Sequence, residues 1–495
     1  MCVFDKGDIR MAILGISVRV ILAVALISAS LLAAGFESTG LGVQARGMAG
    51  AFRGVANDWT AAYYNPAGLA YIADNQWGVE SAFLNYRDEL TPDYRYGGLD
   101  TLTGFYNGIS VYNKQSVLTN PTGGFVGKLP ILGETVWGFS IYQPFDQNIS
   151  WNLYQPPRTY NDTLSAPDVQ YGVNLDVVAF QLTAAREIKP NKMAIGVGIQ
   201  LLRADLVYND LKFRSTPMVI APYTDVPYNH IPEFMKTDGN GWGVGFRAGL
   251  MYKFNEKTNL GITAALPFNV TVKGDARLDF ILPQIRSTRN KQTDPNSVTY
   301  LFASGRKVSL SRNFETKLKL PASIGVGLAH RVSEKFLVAL DGEYTLWSNF
   351  DGLKFSLAGG NGLSGAASDP SVKPFFTSDI STEVKWKNTL KAALGGRYEV
   401  NSTLTLLGGL SIDQGVNPDK VGFVPQFMDT GTKLGLNSGL LLHLQTWDLG
   451  LGGSIMINPD LTVDRTYESD GSLQGFPGLY KATTFETILS VAHRF

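Results

Sequence analysis

Cysteine, histidine and surplus charge are what this chain has least of. Among 495 residues the one cysteine is Cys2, which lies ahead of the first apolar run, so the rest of the chain can form neither a disulfide nor a thiolate metal site. The four histidines, His230, His330, His443 and His493, are scattered with no metal-ligand spacing and no HExxH pair. Lys plus Arg and Asp plus Glu both number 43, which leaves no basic field to recruit nucleic acid and no acidic tail. A GxSxG elbow and a phosphate loop are also missing. Gly243, Gly245 and Gly249 fall in an alternating stretch with no helix after them. The sequence therefore offers no catalytic residue, no metal ligand set and no cofactor site. After Gly35 no apolar run approaches the roughly 20 residues that a membrane helix needs.

The first 34 residues do carry an apolar run. Lys6, Arg10 and Arg19 precede "VILAVALISASLLAAG" from Val20 to Gly35, the charge-then-apolar order of an export signal. We expect cleavage near Ala33 to Gly35, with Met11 as an alternative start, and take 1–34 as a signal peptide outside the fold.

What fills the remainder is alternation. In "WGVGFRAGLMYKF" the residues Trp242, Val244, Phe246, Leu250, Tyr252 and Phe254 fall on one face and Arg247 and Lys253 on the other. "LVALDGEYTLW" sets Val338, Leu340, Tyr344 and Leu346 against Asp341, Glu343 and Thr345, and "LKAALGGRYEV" sets Leu394, Tyr398 and Val400 against Lys391, Arg397 and Glu399. A soluble sandwich also alternates, and the connections decide between the two. Strands are expected near 76–88, 119–129, 135–145, 171–188, 192–206, 241–254, 259–274, 313–332, 335–348, 383–400, 402–413, 431–443, 446–457 and 482–495. Their links alternate between tight turns such as "PNK", "NEKT" and "SEK" and long stretches such as 207–240, 275–312 and 349–382. Short turns on one rim and long loops on the other are the pattern of an outer-membrane barrel, whose closure removes the unpaired edges that hydrocarbon does not tolerate. The fold class is all-β: a transmembrane antiparallel β-barrel of about 14 strands over 76–495.

Between the signal and the first strand, 35–75 neither alternates nor keeps a helical stripe. The stretch "AGFESTGLGVQARGMAGAFRGVANDWTAAYYNPAGLAYI", with Asn65-Pro66-Ala67 at its core, resembles the N-terminal region of the FadL/TodX family of outer-membrane transporters for long-chain fatty acids and hydrocarbons. "WGFSIYQPFDQNISW" from Trp137, "LGITAALPFNVTVKGDARL" from Leu260, the blocks beginning at Leu320 and Trp386, and the terminal Phe495 are similar to that family in the same order. His493 and the stretch from Val421 to Thr432 depart from it. The resemblance implies that 35–75 is a hatch inside the lumen, where small residues permit close packing and Asn and Pro set turns. It also implies that Pro144, with Phe145, kinks a strand and opens the wall sideways, although a proline can equally end a strand. Phe36 matches the family's N-terminal aromatic beside the internal ligand pocket.

Arg247, Lys391 and Arg397 lie on polar faces and should point inward, as candidates to meet a ligand carboxylate or as partners of inward acids such as Asp341, Glu343 and Glu399. The oily stretches Leu206 to Met235 and "LDFILPQI" suit either internal packing or capture of ligand at the surface. The expected function is passive, cofactor-free uptake of a hydrophobic small molecule, whether fatty acid, alkane or aromatic hydrocarbon, by a monomer in contact with outer-membrane lipid and the barrel-assembly machinery. A general diffusion porin and an adhesin barrel are the alternatives.

Overall fold

A computed structural model describes Ala34 to Phe495 except for 94–107, 115–116, 129–132, 155–163, 218–229, 285–293, 295, 418–422, 464–465, 468–472 and 475–476. The signal peptide expected over 1–34 therefore falls, apart from Ala34, outside the described residues. Among the described residues no helix is long and apolar enough to cross a membrane. The main elements are strands: β1 (Gln76–Pro92), β2 (Val117–Lys128), β3 (Val136–Trp151), β4 (Tyr171–Lys189), β5 (Met193–Ser215), β6 (His230–Asn255), β7 (Thr258–Pro267), β8 (Val270–Ile281) and β9 (Lys307–Leu318). They continue with β10 (Ser323–Arg331), β11 (Phe336–Thr345), β12 (Gly352–Asn361), β13 (Ile380–Glu383), β14 (Thr389–Glu399), β15 (Leu404–Asp413), β16 (Lys433–Leu444), β17 (Trp447–Ile457) and β18 (Gly478–Arg494).

Fourteen of these close a ring. β1 to β7 pair in sequence, β7 pairs with β10, then β11, β14, β15, β16, β17 and β18 follow, every pair antiparallel. The seam between β18 and β1 runs unbroken from Gln76↔Arg494 to Pro92↔Gly478, so the first and last strands close the ring. The period-two pattern sets the two faces. Val197, Ile199, Trp242, Val244, Ile324, Val326, Leu340, Leu394, Leu410, Leu436 and Leu489 stand exposed on the outside, an apolar belt for acyl chains. At the short-turn rim Trp77, Trp447, His493 and Phe495 form a chain of ring contacts 4.4 to 5.9 Å apart, the interfacial girdle of such barrels. His493, the departure noted above, lies between two of these rings.

The remaining strands correct the expected layout. The strand expected over 313–332 is two strands, because β9 leaves the ring to pair with β8 and β12 while β10 pairs with β7. The strand expected over 259–274 likewise divides at Phe268 and Asn269 into β7 and β8. The stretches taken as loops hold much pairing: β5 and β6 stay in register from Met193↔Tyr252 up to Ser215↔His230, and 349–382 contains β12, β13 and a short helix at Lys373–Thr377. Main-chain amides above the membrane continue to pair along the strands rather than with water, which forms a β8–β9–β12–β13 extension standing on the upper part of β6.

Candidate functional site

Residues 34–75 run through the interior of the ring. Two short helices, α1 (Val43–Gly47) and α2 (Ala61–Tyr64), and a 3₁₀ turn (Pro66–Tyr71) carry side chains that are almost all buried. What lets this segment approach the wall is glycine. A Cβ at Gly196 on β5 would lie 2.3 Å from the Pro66 carbonyl carbon, one at Gly249 on β6 2.2 Å from Asn65 Oδ1, and one at Gly261 on β7 2.1 Å from the Arg53 carbonyl oxygen. Across the lumen, Gly395 on β14 and Gly409 on β15 face each other in register and leave the same room for Met48. The glycine-rich composition is thus partly a footprint of the inner segment.

Polar contacts fasten it. Asn65 Nδ2 donates to the carbonyls of Arg53 at 3.0 Å and of Leu250 on β6 at 3.2 Å, while its Oδ1 accepts from Ala67 N at 3.1 Å. Pro66 then starts the 3₁₀ turn, where its fixed φ fits and no N–H is needed. The Arg53 guanidinium meets Asp341 at 3.3 Å and Glu343 at 2.5 Å on β11, and Asp341 also accepts the amides of Phe52 and Arg53. Arg46 meets Glu486 on β18 at 2.9 Å and Glu80 on β1 at 3.7 Å. Both arginines of the segment thus meet two carboxylates each, as a low-dielectric interior favours.

The first residues of the segment meet the wall where β3 departs from it. β2 and β3 pair from Lys128↔Val136 to Gly123↔Ile141 and then part; Val117–Thr122 keeps its pairing with β1 but has none on β3. On its other side β3 shifts register against β4 between Tyr142 and Phe145. Pro144, which has no N–H to give a neighbour, sits in that shift. The freed main chain is taken up from inside: Ser38 N donates to the Pro144 carbonyl at 3.0 Å and Asp146 N to the Phe36 carbonyl at 3.0 Å. Phe36 itself is buried among Phe145, Trp347, Phe350, Trp386 and Phe427, with ring centroids 4.8 to 5.9 Å away, mostly edge to face. Phe427 belongs to the segment Phe423–Thr430, buried throughout, which descends from the long-loop side onto Phe36.

A model of the family described as outer membrane protein transport protein (OMPP1/FadL/TodX) matches residues 24–422. The chain belongs to this family. It is therefore an outer-membrane barrel of the transport type, in a family and a fold of channels rather than enzymes. The long-chain fatty acid transport protein of Escherichia coli O6:H1 is 21% identical over 409 residues, 80% of this chain and 81% of that protein. The 47 kDa outer membrane protein of Pasteurella multocida is 24% identical over 195 residues, which span 39% of either chain. Among solved structures, a Pseudomonas aeruginosa FadL homologue has a TM-score of 0.69 at 17% identity over 93% of this chain and 100% of its own. The P. putida toluene transporter TodX has a TM-score of 0.64 at 15% identity over 92% of this chain and 99% of its own. At such identities the two structures speak for the fold alone.

Of the residues singled out from the sequence of this FadL/TodX member, the structure brings Phe36, Pro144, Phe145 and Arg247 together around one small cavity of about 20 Å³ or its walls. Arg247 donates to the Tyr63 carbonyl at 2.8 Å, and its guanidinium stacks over the Tyr63 ring at 4.1 Å. Lys391 lines an adjoining cavity with Glu37, Arg53, Tyr63 and Glu343. Arg397 is elsewhere: it pairs with Glu399 at 3.1 Å and faces a vestibule of about 420 Å³ toward the short-turn rim, with His443 and Asp448. Burial, with Glu343 and Asp413 nearby, pushes the Glu37 carboxyl up to about 8 against the pull of Lys391 and Arg247. Sequence reasoning missed Arg46, Arg53 and Glu37. Two arginines and an acid inside a stretch of Gly and Ala that has to be buried were a visible sign that the wall must supply opposite charges.

Proposed function

We propose that this barrel takes up long-chain fatty acids or hydrocarbons passively, with residues 34–75 as a hatch, the aromatic box around Phe36 as the internal binding pocket and the wall beside Pro144 as the exit to the bilayer. One observation carries the proposal. Beside the interruption of the β2–β3 ladder, residues 36–38 take up the free main chain of β3 from inside, and the same residues place a ring in an apolar box. An apolar ligand that takes the place of the Phe36 ring in that box loosens the strip that covers the opening, so occupation and exit are coupled.

The energetics favour a side route. Each methylene removed from water is worth about 0.8 kcal/mol, a gain that a watery channel to the periplasm would forfeit and the bilayer preserves. Ligand arrives from the long-loop side, where apolar clusters such as Leu211, Phe213, Phe234 and Ile281 stand above the box. Its chemical identity is a fatty acid or an aromatic hydrocarbon, in keeping with the names of the relatives. Arg247 and Lys391 are the cations near enough to the box to meet a carboxylate, whereas Arg397 belongs to the vestibule. A diffusion porin agrees poorly with a lumen crossed by a buried, ion-paired segment.

Pro144→Ala tests the exit. Restoring the missing donor should let β3 pair with a neighbour and narrow the opening, so uptake falls while the barrel keeps or gains about 0.5–1.5 kcal/mol from a ladder hydrogen bond. Thr405→Ala, on the lumenal face of β15 and away from the opening, should leave uptake unaltered. Normal assembly with an undiminished rate for Pro144→Ala would refute the side exit.

A further inference from the structure

The wall is interrupted in a second place, and by the same device. β8 and β9 pair from Lys307↔Ile281 down to Leu318↔Val270, and β7 and β10 from Ser323↔Ala265 down to His330↔Thr258. Both ladders keep one register, so Pro267 and Pro321 are directly opposite each other in the interval between them, where 266–269 and 319–322 have no pairing with each other. Neither proline can donate to the other strand. From Ser323↔Ala265 to Leu318↔Val270 the strands run five residue steps, about 17 Å at 3.4 Å per residue. The two sides of the interval stay attached elsewhere. Phe268 N donates to the Val244 carbonyl on β6 at 2.9 Å, and Leu346 N to the Ala322 carbonyl at 2.8 Å. The break therefore separates the strands from each other without detaching either from the ring.

At the first opening the prolines are also found on both strands: Pro121 on β2 faces outward across from the Pro144 region of β3. Each break thus carries a proline on both of its strands, directly opposite in register at Pro267 and Pro321 and offset by one residue at Pro121 and Pro144. Both breaks reach the same interior space. Pro144 and Phe145 line one side of the small cavity beside Glu37, and Ala265, Pro267, Pro321 and Ser323 line the other. On the outside the second break is rimmed by Leu266, Phe268 and Ile324, each more than half exposed in the apolar belt.

We propose that the wall between β7/β8 and β9/β10, at Pro267 and Pro321, is a second lateral opening through which a hydrophobic ligand passes between the lumen and the bilayer. The proposal rests on sideways exit as such and extends it to a second place in the ring. With about 20 Å³ of space, both routes are closed in this structure, and displacement of residues 36–38 would widen the cavity toward both at once.

Since the described residues contain no cysteine, introduced pairs report cleanly. Leu266→Cys/Ala322→Cys spans the second break and Thr119→Cys/Gln143→Cys the first; a short bis-maleimide joins either pair in the assembled barrel, with cross-linking verified by mass. Transfer of a fluorescent long-chain fatty acid into the bilayer of proteoliposomes is compared before and after. Two parallel routes predict that either cross-link alone lowers the rate by about half and that both together abolish it. If the 266/322 bridge changes nothing, alone or on top of the 119/143 bridge, while the 119/143 bridge alone abolishes transfer, the second opening is refuted and the Pro144 exit stands. If neither bridge nor both together have an effect, sideways exit fails altogether. If only the 266/322 bridge matters, the second opening stands and the Pro144 exit falls. Ala322→Trp fills the same place without a cross-link and serves where the cysteine pair assembles poorly.

Discussion

Gly249→Ala is the smallest change that should detach the inner segment from the wall. The added methyl would lie 2.2 Å from Asn65 Oδ1, 3.0 Å from Pro66 Cδ and 3.1 Å from Ala67 N, inside the contact distance of all three. β6 is held by ladders on both sides, so the Asn65 side chain is what must yield. In yielding it gives up its bonds to the Arg53 and Leu250 carbonyls and to Ala67 N. At about 0.5–1.5 kcal/mol each, the loss totals roughly 1.5–4.5 kcal/mol. With about 1.4 kcal/mol per factor of ten, docking weakens by roughly ten- to a thousandfold. Arg46 and Arg53, buried in the docked segment, then become sites for trypsin added from the short-turn side, and a planar bilayer should register conductance bursts. Gly408→Ala, where an added methyl meets nothing within 4 Å, is the control and should behave as the parent chain. A Gly249→Ala barrel that migrates normally, resists trypsin at both arginines and conducts no more than the control would refute the reasoning that glycine makes room for the segment.

Arg53→Ala leaves Asp341 and Glu343 without their shared cation, an omission that costs about 3–5 kcal/mol for a buried pair; the segment should lose protease protection while heat-modifiable migration of the barrel persists, and Arg53→Lys should restore only part of it, because a shorter ammonium returns the charge but not the planar spread that reaches Asp341, Glu343 and Thr263 at once. For Glu37, a carboxyl raised to about 8 from 4.5 favours the docked segment in its neutral form, so the stabilisation is complete below about 4.5 and is lost as pH rises through 8. Trypsin sensitivity at Arg46, normalised to the protease's own activity at each pH, should therefore climb between about pH 5 and 8, level off above 8 and change much less in Glu37→Gln; an identical climb in both would clear Glu37 of the effect.

The parts legible in the sequence were those governed by period. Strands such as β6, β11, β14 and β15 alternate strictly, because one side meets lipid and the other the lumen, and tight turns mark their ends. The break at Pro321 was invisible to that test because β9 and β10 keep one register across it, so alternation passes through the gap undisturbed. Which strand pairs with which is a long-range matter, and β12 and β13 in a stretch taken as loop owe their form to β9 rather than to local preference. At the site, alternation showed that Arg247 and Arg397 point inward, but not that one would stack on Tyr63 and the other pair with Glu399. Arg46 and Arg53 lie in a stretch with no period at all, where only burial makes their charge conspicuous.

Arg46 has a further consequence, for assembly. Its guanidinium sits across the seam, between Glu80 on the first strand and Glu486 on the last. The arginine draws together two acidic side chains, on strands that become neighbours only when the ring closes, whose charges would otherwise oppose that closure. The segment is in this respect a clasp: the contact that fixes it inside the lumen also supplies the countercharge for the seam.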